Sequence, residues 1–122
     1  MAQPTSPPVQ VFGRKDSRPT QKALRFFKER GLPVSFVDVA VKPPAPTELR
    51  RFAERLGAWA LLDEDGRRYR ELGLAYLRLD DAELLERLLA DPGLLRLPLV
   101  RFGARFAAGP EEGAWKALLA SP

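Results

Sequence analysis

The segment Val9-Gln10-Val11-Phe12-Gly13-Arg14-Lys15-Asp16-Ser17-Arg18-Pro19-Thr20-Gln21-Lys22-Ala23 carries the side chains best placed for chemistry. Its pattern predicts a short strand, a tight loop and a helix start, with Ser17 where the loop meets the helix. The first N–H groups of a helix lack intrahelical partners and the dipole is positive there. A hydroxyl at that point therefore sits beside a seat for an anion or an activated nucleophile. Either Asp16 or Ser17 can cap the helix, and Pro19 falls in the first turn, where its missing N–H costs nothing. Lys15, Ser17, Arg18 and Thr20 are the candidate ligand-binding residues of this loop. A serine hydroxyl is a poor nucleophile without a base, and Lys15 is the only nearby group that could serve as one. No catalytic residue is therefore assigned, and capping is the expected role of Ser17.

The 122-residue chain has no Cys and no His. Disulfides, thiolate metal sites, Ser-His and Cys-His pairs and the common zinc sites are all excluded. No metal or other cofactor is expected. Asn is absent as well, and 12 residues are Pro. Few thermolabile residues and proline-rich loops suit a heat-stable protein, although a GC-rich genome gives a similar bias.

A chain of this length forms a single domain, and 45% hydrophobic with 30% charged residues describes a globular protein. No apolar run approaches the ~20 residues needed to span a bilayer. Residues 1–8 lack a basic region followed by an apolar one, so they read as a disordered lead without a secretory signal. A cytoplasmic location is the expectation. The formal charge of +4 permits weak attraction to anions. Arg14, Arg18, Arg25 and Arg30 are interleaved with Asp16 and Glu29, and Arg50, Arg51 and Arg55 flank Glu48 and Glu54. Such patterns predict solvated helix faces with i,i+4 ion pairs. No nucleic-acid-binding motif is present.

The elements that must position the loop follow from periodicity. Val9–Phe12 reads as a strand, Ser17–Arg30 as a helix closed by Gly31, and Val34–Val39 as a second strand, together a βαβ unit with a parallel pair. After the breaker Lys42-Pro43-Pro44-Ala45-Pro46, Thr47 is the expected cap of a helix with Leu49, Phe52, Ala53 and Leu56 inward, ended by Gly57. Trp59–Leu62 is short and apolar, and a helical turn begins near Tyr69. Asp80 with Glu83 has the spacing of a capping box, before a stripe of Leu84, Leu85, Leu88 and Leu89. Leu97–Phe102 is a strand entered through Pro98, and Gly103-Ala104 turns it into Arg105–Ala108. A last helix is expected from Gly109-Pro110, with Trp115, Leu118 and Leu119 inward. The result is an α/β domain over 9–120, a four-stranded mixed sheet flanked by helices, with a helical insertion at about 46–93.

Tyr69-Arg70-Glu71-Leu72-Gly73-Leu74, the helix from Asp80, and Asp91-Pro92-Gly93-Leu94-Leu95-Arg96-Leu97-Pro98-Leu99-Val100, taken with Gly13, Lys15 and Ala23, resemble the arsenate reductase/Spx family in order and spacing. The resemblance extends from Val9 to Leu119 and implies a thioredoxin-like fold. Family reductases attack arsenate with a cysteine thiolate and resolve the adduct with glutathione and glutaredoxin. Ser17 stands at that cysteine's position. The family's oxyanion arginines are replaced too: Leu97 occupies the place before the proline, with Arg96 shifted by one. Asp63 matches a second arginine, and Ala108 or Gly109 a third. Arg67, Arg68 and Arg70 are near enough in sequence to compensate, but solvated positions are expected for them. Pro98 is retained. The resemblance implies that it is cis, and that Leu97 before it offers its backbone to an extended peptide or to glutathione. Arg96, Leu97 and Pro98 accordingly join the candidate ligand-binding residues.

Three functional expectations follow. The first is a protein- or small-ligand-binding thioredoxin-like module without thiol redox activity. The Spx branch supplies one kind of protein partner, since its members bind RNA polymerase through the last domain of the α chain. The second is an enzyme in which Ser17 activates the thiolate of bound glutathione, the only small cofactor implied. The third and least expected is arsenate reduction itself.

Overall fold

The computed structural model describes residues 8–120, so all but the last residue of the expected disordered lead lies outside the described residues. Four strands form one mixed sheet: β1 (Val9–Gly13), β2 (Val34–Asp38), β3 (Leu99–Phe102) and β4 (Arg105–Ala108), in the spatial order β2-β1-β3-β4. The β1–β2 pair is parallel, and the β1–β3 and β3–β4 pairs are antiparallel. Parallel pairing needs a crossover, which helix α1 (Arg18–Glu29) supplies. The hairpin β3–β4 needs only the Gly103-Ala104 turn.

Both faces of the sheet are covered because strand side chains alternate. Val9 and Val11 of β1, Val100 of β3 and Ala107 of β4 pack with Ala23, Phe26 and Phe27 of α1 and with Trp115 and Leu118 of α5 (Glu112–Leu119). On the opposite face Phe12 and Leu99 meet the helices between β2 and β3. These are α2 (Pro46–Leu56), the short α3 (Arg67–Glu71) and α4 (Asp81–Ala90), joined by 3-10 turns at Ala58–Leu61, Leu74–Tyr76 and Pro92–Leu94. Phe52 is the hub of this second core. Its ring is edge-on to Phe12 at 5.8 Å and to Phe106 at 4.9 Å. No helix among the described residues is long and apolar enough to cross a membrane.

Local chemistry explains where the elements begin. Asp80 accepts from the Glu83 N–H at 2.8 Å and Glu83 accepts from the Asp80 N–H at 3.1 Å, so the capping box forms in full. Helix α2 departs from expectation. It starts at Pro46, with Ala45 as the uncapped flanking residue, so Thr47 lies inside the first turn. Proline at the first position fixes φ for the helix and needs no donor, which makes a hydroxyl cap dispensable. Strand β3 begins at Leu99 rather than Leu97, because Pro98 has no N–H for the ladder. Helix α5 begins at Glu112 rather than at Pro110. Gly109 has φ 95° and donates its N–H to the Pro98 carbonyl at 2.9 Å, which keeps the chain turning before the helix can start.

Phe52→Ala removes a fully buried ring and two edge-to-face contacts, and is expected to cost about 3–5 kcal/mol. Urea unfolding measures it; a loss below about 1 kcal/mol would mean that this face collapses around the gap.

Candidate functional site

The loop between β1 and α1 is held by a close approach of Gly13 to Thr20. A Cβ at Gly13 would lie 2.3 Å from Thr20 Oγ1 and 2.4 Å from Thr20 Cγ2, so no side chain larger than hydrogen fits. Thr20 is fully buried, and its Oγ1 accepts the Arg14 N–H at 3.3 Å. The ligand-binding role expected for Thr20 therefore does not survive: its side chain is sealed inside and shapes the loop. Ser17 is the helix cap, its Oγ accepting from the Thr20 N–H at 3.3 Å. The Ser17 carbonyl accepts from Gln21 at 3.0 Å.

These bonds consume most of the anion seat. In the first turn of α1 the Thr20 and Gln21 N–H groups are taken, and Pro19 has none. Only the Arg18 N–H makes no backbone or side-chain bond among the described residues. Arg14 is likewise engaged: its guanidinium forms a two-pronged pair with Asp16, both contacts at 3.1 Å.

Two shallow clefts share Ser17. The first, of about 310 Å³, is lined by Arg14, Ser17, Pro19, Asp63, Gly93 and Leu97 among others. Asp63 comes from the helical insertion. An isolated bridge between Leu62 and Leu95 brings it there, with the Asp63 N–H donating to the Leu94 carbonyl at 2.9 Å and the Arg96 N–H to the Leu61 carbonyl at 2.8 Å. The cleft thus holds a carboxylate, whose Oδ1 accepts the Asp65 N–H at 3.3 Å, together with the Asp16-paired Arg14. Leu97 is half-buried on the same wall, and the Leu97–Pro98 bond is cis. The N–H and C=O of Leu97 enter none of the hydrogen bonds among the described residues, because β3 begins two residues later. Pro98 itself is buried.

The second cleft, of about 490 Å³, lies along α1 and is lined by Lys15, Arg18, Lys22 and Arg25 with Asp16, Ser17 and Gln21. All four basic residues are exposed. The i,i+4 pairs expected on this helix do not form: Asp16 faces Arg14, and none of the four enters an ion pair among the described residues. On α2, Glu48 is likewise drawn across to Arg101 of β3 at 2.8 Å instead of pairing along its own helix.

The other arginines of the expected site are engaged elsewhere in the fold. Arg96 is ion-paired with Glu111 and its guanidinium lies on Gly109, where a Cβ would stand 2.7 Å from Cζ. Its expected place in the ligand site is therefore corrected: it staples the start of β3 to the approach to α5. Arg68 binds Asp91 at 2.6 Å and lies 3.6 Å from Glu71. The hydrogen bond and charge of Asp91 raise its pKa above the ordinary arginine value, so it stays cationic, but its charge is spent inside the protein. Arg70 donates to the Asp65 carbonyl at 2.8 Å. Among the described residues no group of carboxylates is arranged to hold a metal ion.

The site thus combines a capped helix N-terminus, an unpaired stretch of backbone before a cis proline, one carboxylate-bearing cleft and one cationic cleft. It lacks a nucleophile with a base. Sequence reasoning missed the inward turn of Thr20, whose signal was a glycine seven residues earlier. It also missed the freedom of the α1 cations, which depends on where Asp16 points.

Residues 12–118 match the model of a family described as the ArsC family. An arsenate reductase of Neisseria meningitidis serogroup A is 29% identical over 106 residues, covering 84% of this chain and 91% of that protein. The uncharacterized protein YusI of Bacillus subtilis is 29% identical over 96 residues, covering 75% and 81%. Among solved structures, the YFFB protein superposes with a TM-score of 0.82 at 26% identity, covering 92% of this chain and 99% of its own.

Ser17→Ala leaves the Thr20 N–H without its cap and is expected to cost about 1 kcal/mol, whereas Ser17→Asp, which can cap equally well, is expected to cost little. Denaturant titration of both variants checks this. Equal stability of wild type and the alanine variant would show that the cap contributes nothing.

Proposed function

This chain belongs to the ArsC family, and on that premise we propose that it acts without thiol redox chemistry, as a thioredoxin-like binding module. The observation that carries this reading is the pairing of a chain without cysteine with an open groove between Ser17 and the Leu97–Pro98 segment. Arsenate reduction needs a thiolate to attack and a cationic seat to hold the oxyanion. Here the hydroxyl of Ser17 can neither store a reducing equivalent nor form a mixed disulfide. The Asp63 carboxylate disfavours an oxyanion in the same cleft, the Arg14 guanidinium there is already paired with Asp16, and of the first-turn donors only the Arg18 N–H is open.

The unpaired N–H and C=O of Leu97 favour a ligand with a peptide backbone. An extended segment laid against Leu97 gains main-chain hydrogen bonds, the logic of strand addition at an open edge. Glutathione, itself a short peptide, is the small-molecule version of that ligand; a segment of a protein partner is the larger one. A second reading, glutathione-thiolate activation, has one specific support. Because Ser17 Oγ accepts from Thr20, its own proton stays free to donate to a thiolate bound beside it. That reading requires the bound thiol to ionise below its solution pKa.

Titration of 15N-labelled protein tests the proposal. Glutathione or a neutral β-prone peptide is expected to shift the Ser17 and Leu97 amides saturably, while arsenate and phosphate leave them unmoved. Shifts with arsenate alone would restore an oxyanion site and overturn the reading; no response to any ligand would remove the groove as a binding site.

A further inference from the structure

We infer that the segment taken by this groove is an acidic peptide, which continues past Ser17 onto the Lys15–Arg25 face of α1. The inference rests on the binding reading above and adds the chemistry of the partner. Three observations carry it.

The first is adjacency. Ser17 lines both clefts, so they meet at that residue, and a chain that leaves Leu97 past Ser17 arrives at the second cleft. The second is charge. Arg18, Lys22 and Arg25 follow the i, i+4, i+7 spacing that keeps them on one side of α1, and Lys15 extends the row into the loop. None of them is neutralised by an ion pair within the described residues, whereas Arg14, Arg68, Arg96 and Arg101 all are. The row is thus a set of like charges left adjacent, an arrangement that a polyanion relieves. The third is polarity along the path. The Leu97 cleft holds one charge of each sign, Arg14 and Asp63, whereas the α1 cleft holds four cations and one carboxylate, Asp16, which is already paired with Arg14; the ligand is therefore neutral where it pairs with Leu97 and acidic where it lies on α1.

Nucleic acid also offers a polyanion, but two features weigh toward peptide. The unpaired donor and acceptor of Leu97 match a peptide backbone. The cationic cleft has no aromatic side chain in its lining on which a base could stack.

The test uses the full chain and three fluorescent probes. The first is a short peptide with a neutral β-prone half followed by an acidic half. The second is the same peptide with every acid replaced by its amide. The third is a single-stranded oligonucleotide of matching charge. Binding is read by anisotropy and by the Leu97 amide shift, for wild type and for the double variant Arg18→Glu with Lys22→Glu. Both substitutions are at exposed positions, and acids near a helix N-terminus suit its dipole, so the variant is expected to fold. The acidic peptide is expected to bind wild type about tenfold or more tighter than the amide peptide, to weaken with salt, and to lose that advantage in the variant. Equal binding of the two peptides, unchanged in the variant, would leave the groove standing and overturn the acidic partner. Binding of neither, with Leu97 unmoved, would overturn the groove and the inference with it. Tighter binding of the oligonucleotide without a Leu97 shift would overturn the inference in favour of nucleic acid on the same face.

Discussion

The β1–α1 loop depends on the contact between Gly13 and Thr20. With no Cβ on Gly13, the Thr20 side chain can press against the end of β1, bury itself completely and take the Arg14 N–H. That contact fixes where α1 begins, and hence where Ser17 caps it. It also sets the loop so that Arg14 falls toward Asp16 while Lys15 and Arg18 face outward. A side chain at position 13 would have to displace Thr20 from its buried place, and with it disturb the meeting point of the two clefts. A fold-level requirement, one glycine at a crossing of strand and helix, therefore governs the chemistry available at the site.

Capping and catalysis compete at such a helix end. An anion seat works when several N–H groups stay open toward the ligand. Here Ser17 satisfies the Thr20 N–H and Pro19 offers none, so the helix end is stabilised from within and has little left for an oxyanion. The same trade recurs with the arginines. Arg96 stabilises the junction with α5 through Glu111, and Arg68 ties α3 to the loop after α4 through Asp91. Groups that could have clamped a substrate are instead used to hold the fold together.

Much of this was legible in the sequence because it is local. The capping box of Asp80 and Glu83, the Ser17 cap, the Gly103-Ala104 hairpin and the alternation of Val9, Val11 and Phe12 all follow from spacings of a few residues. The mixed sheet followed from the order of elements. What escaped was decided by contacts between distant segments. The burial of Thr20 depends on the path of β1, and the pairing of Arg96 depends on Glu111 at the far end of the β3–β4 hairpin. Charge patterning on α1 and α2 pointed to pairs along each helix. Glu48 instead found Arg101 across the core, where both partners are partly buried and less exposed to screening. The start of α5 was misplaced for a similar reason: Gly109 is held by Pro98, a strand away.

The placement of Asp63 links these threads. Its position is set by the Leu62–Leu95 bridge, whose two hydrogen bonds fasten the helical insertion to the segment before β3. Without that bridge the insertion would still pack through Phe52, Leu84 and Leu88, but nothing would hold a carboxylate beside Ser17. With it, the Leu97 cleft carries a carboxylate beside Arg14, while the exposed side of α1 a few residues away is predominantly positive. Two adjoining clefts of different charge discriminate by orientation as well as by sign. A compact oxyanion gains only at the α1 end and is disfavoured by the Asp63 carboxylate in the other cleft, whereas an elongated ligand with acids at one end alone can fill both.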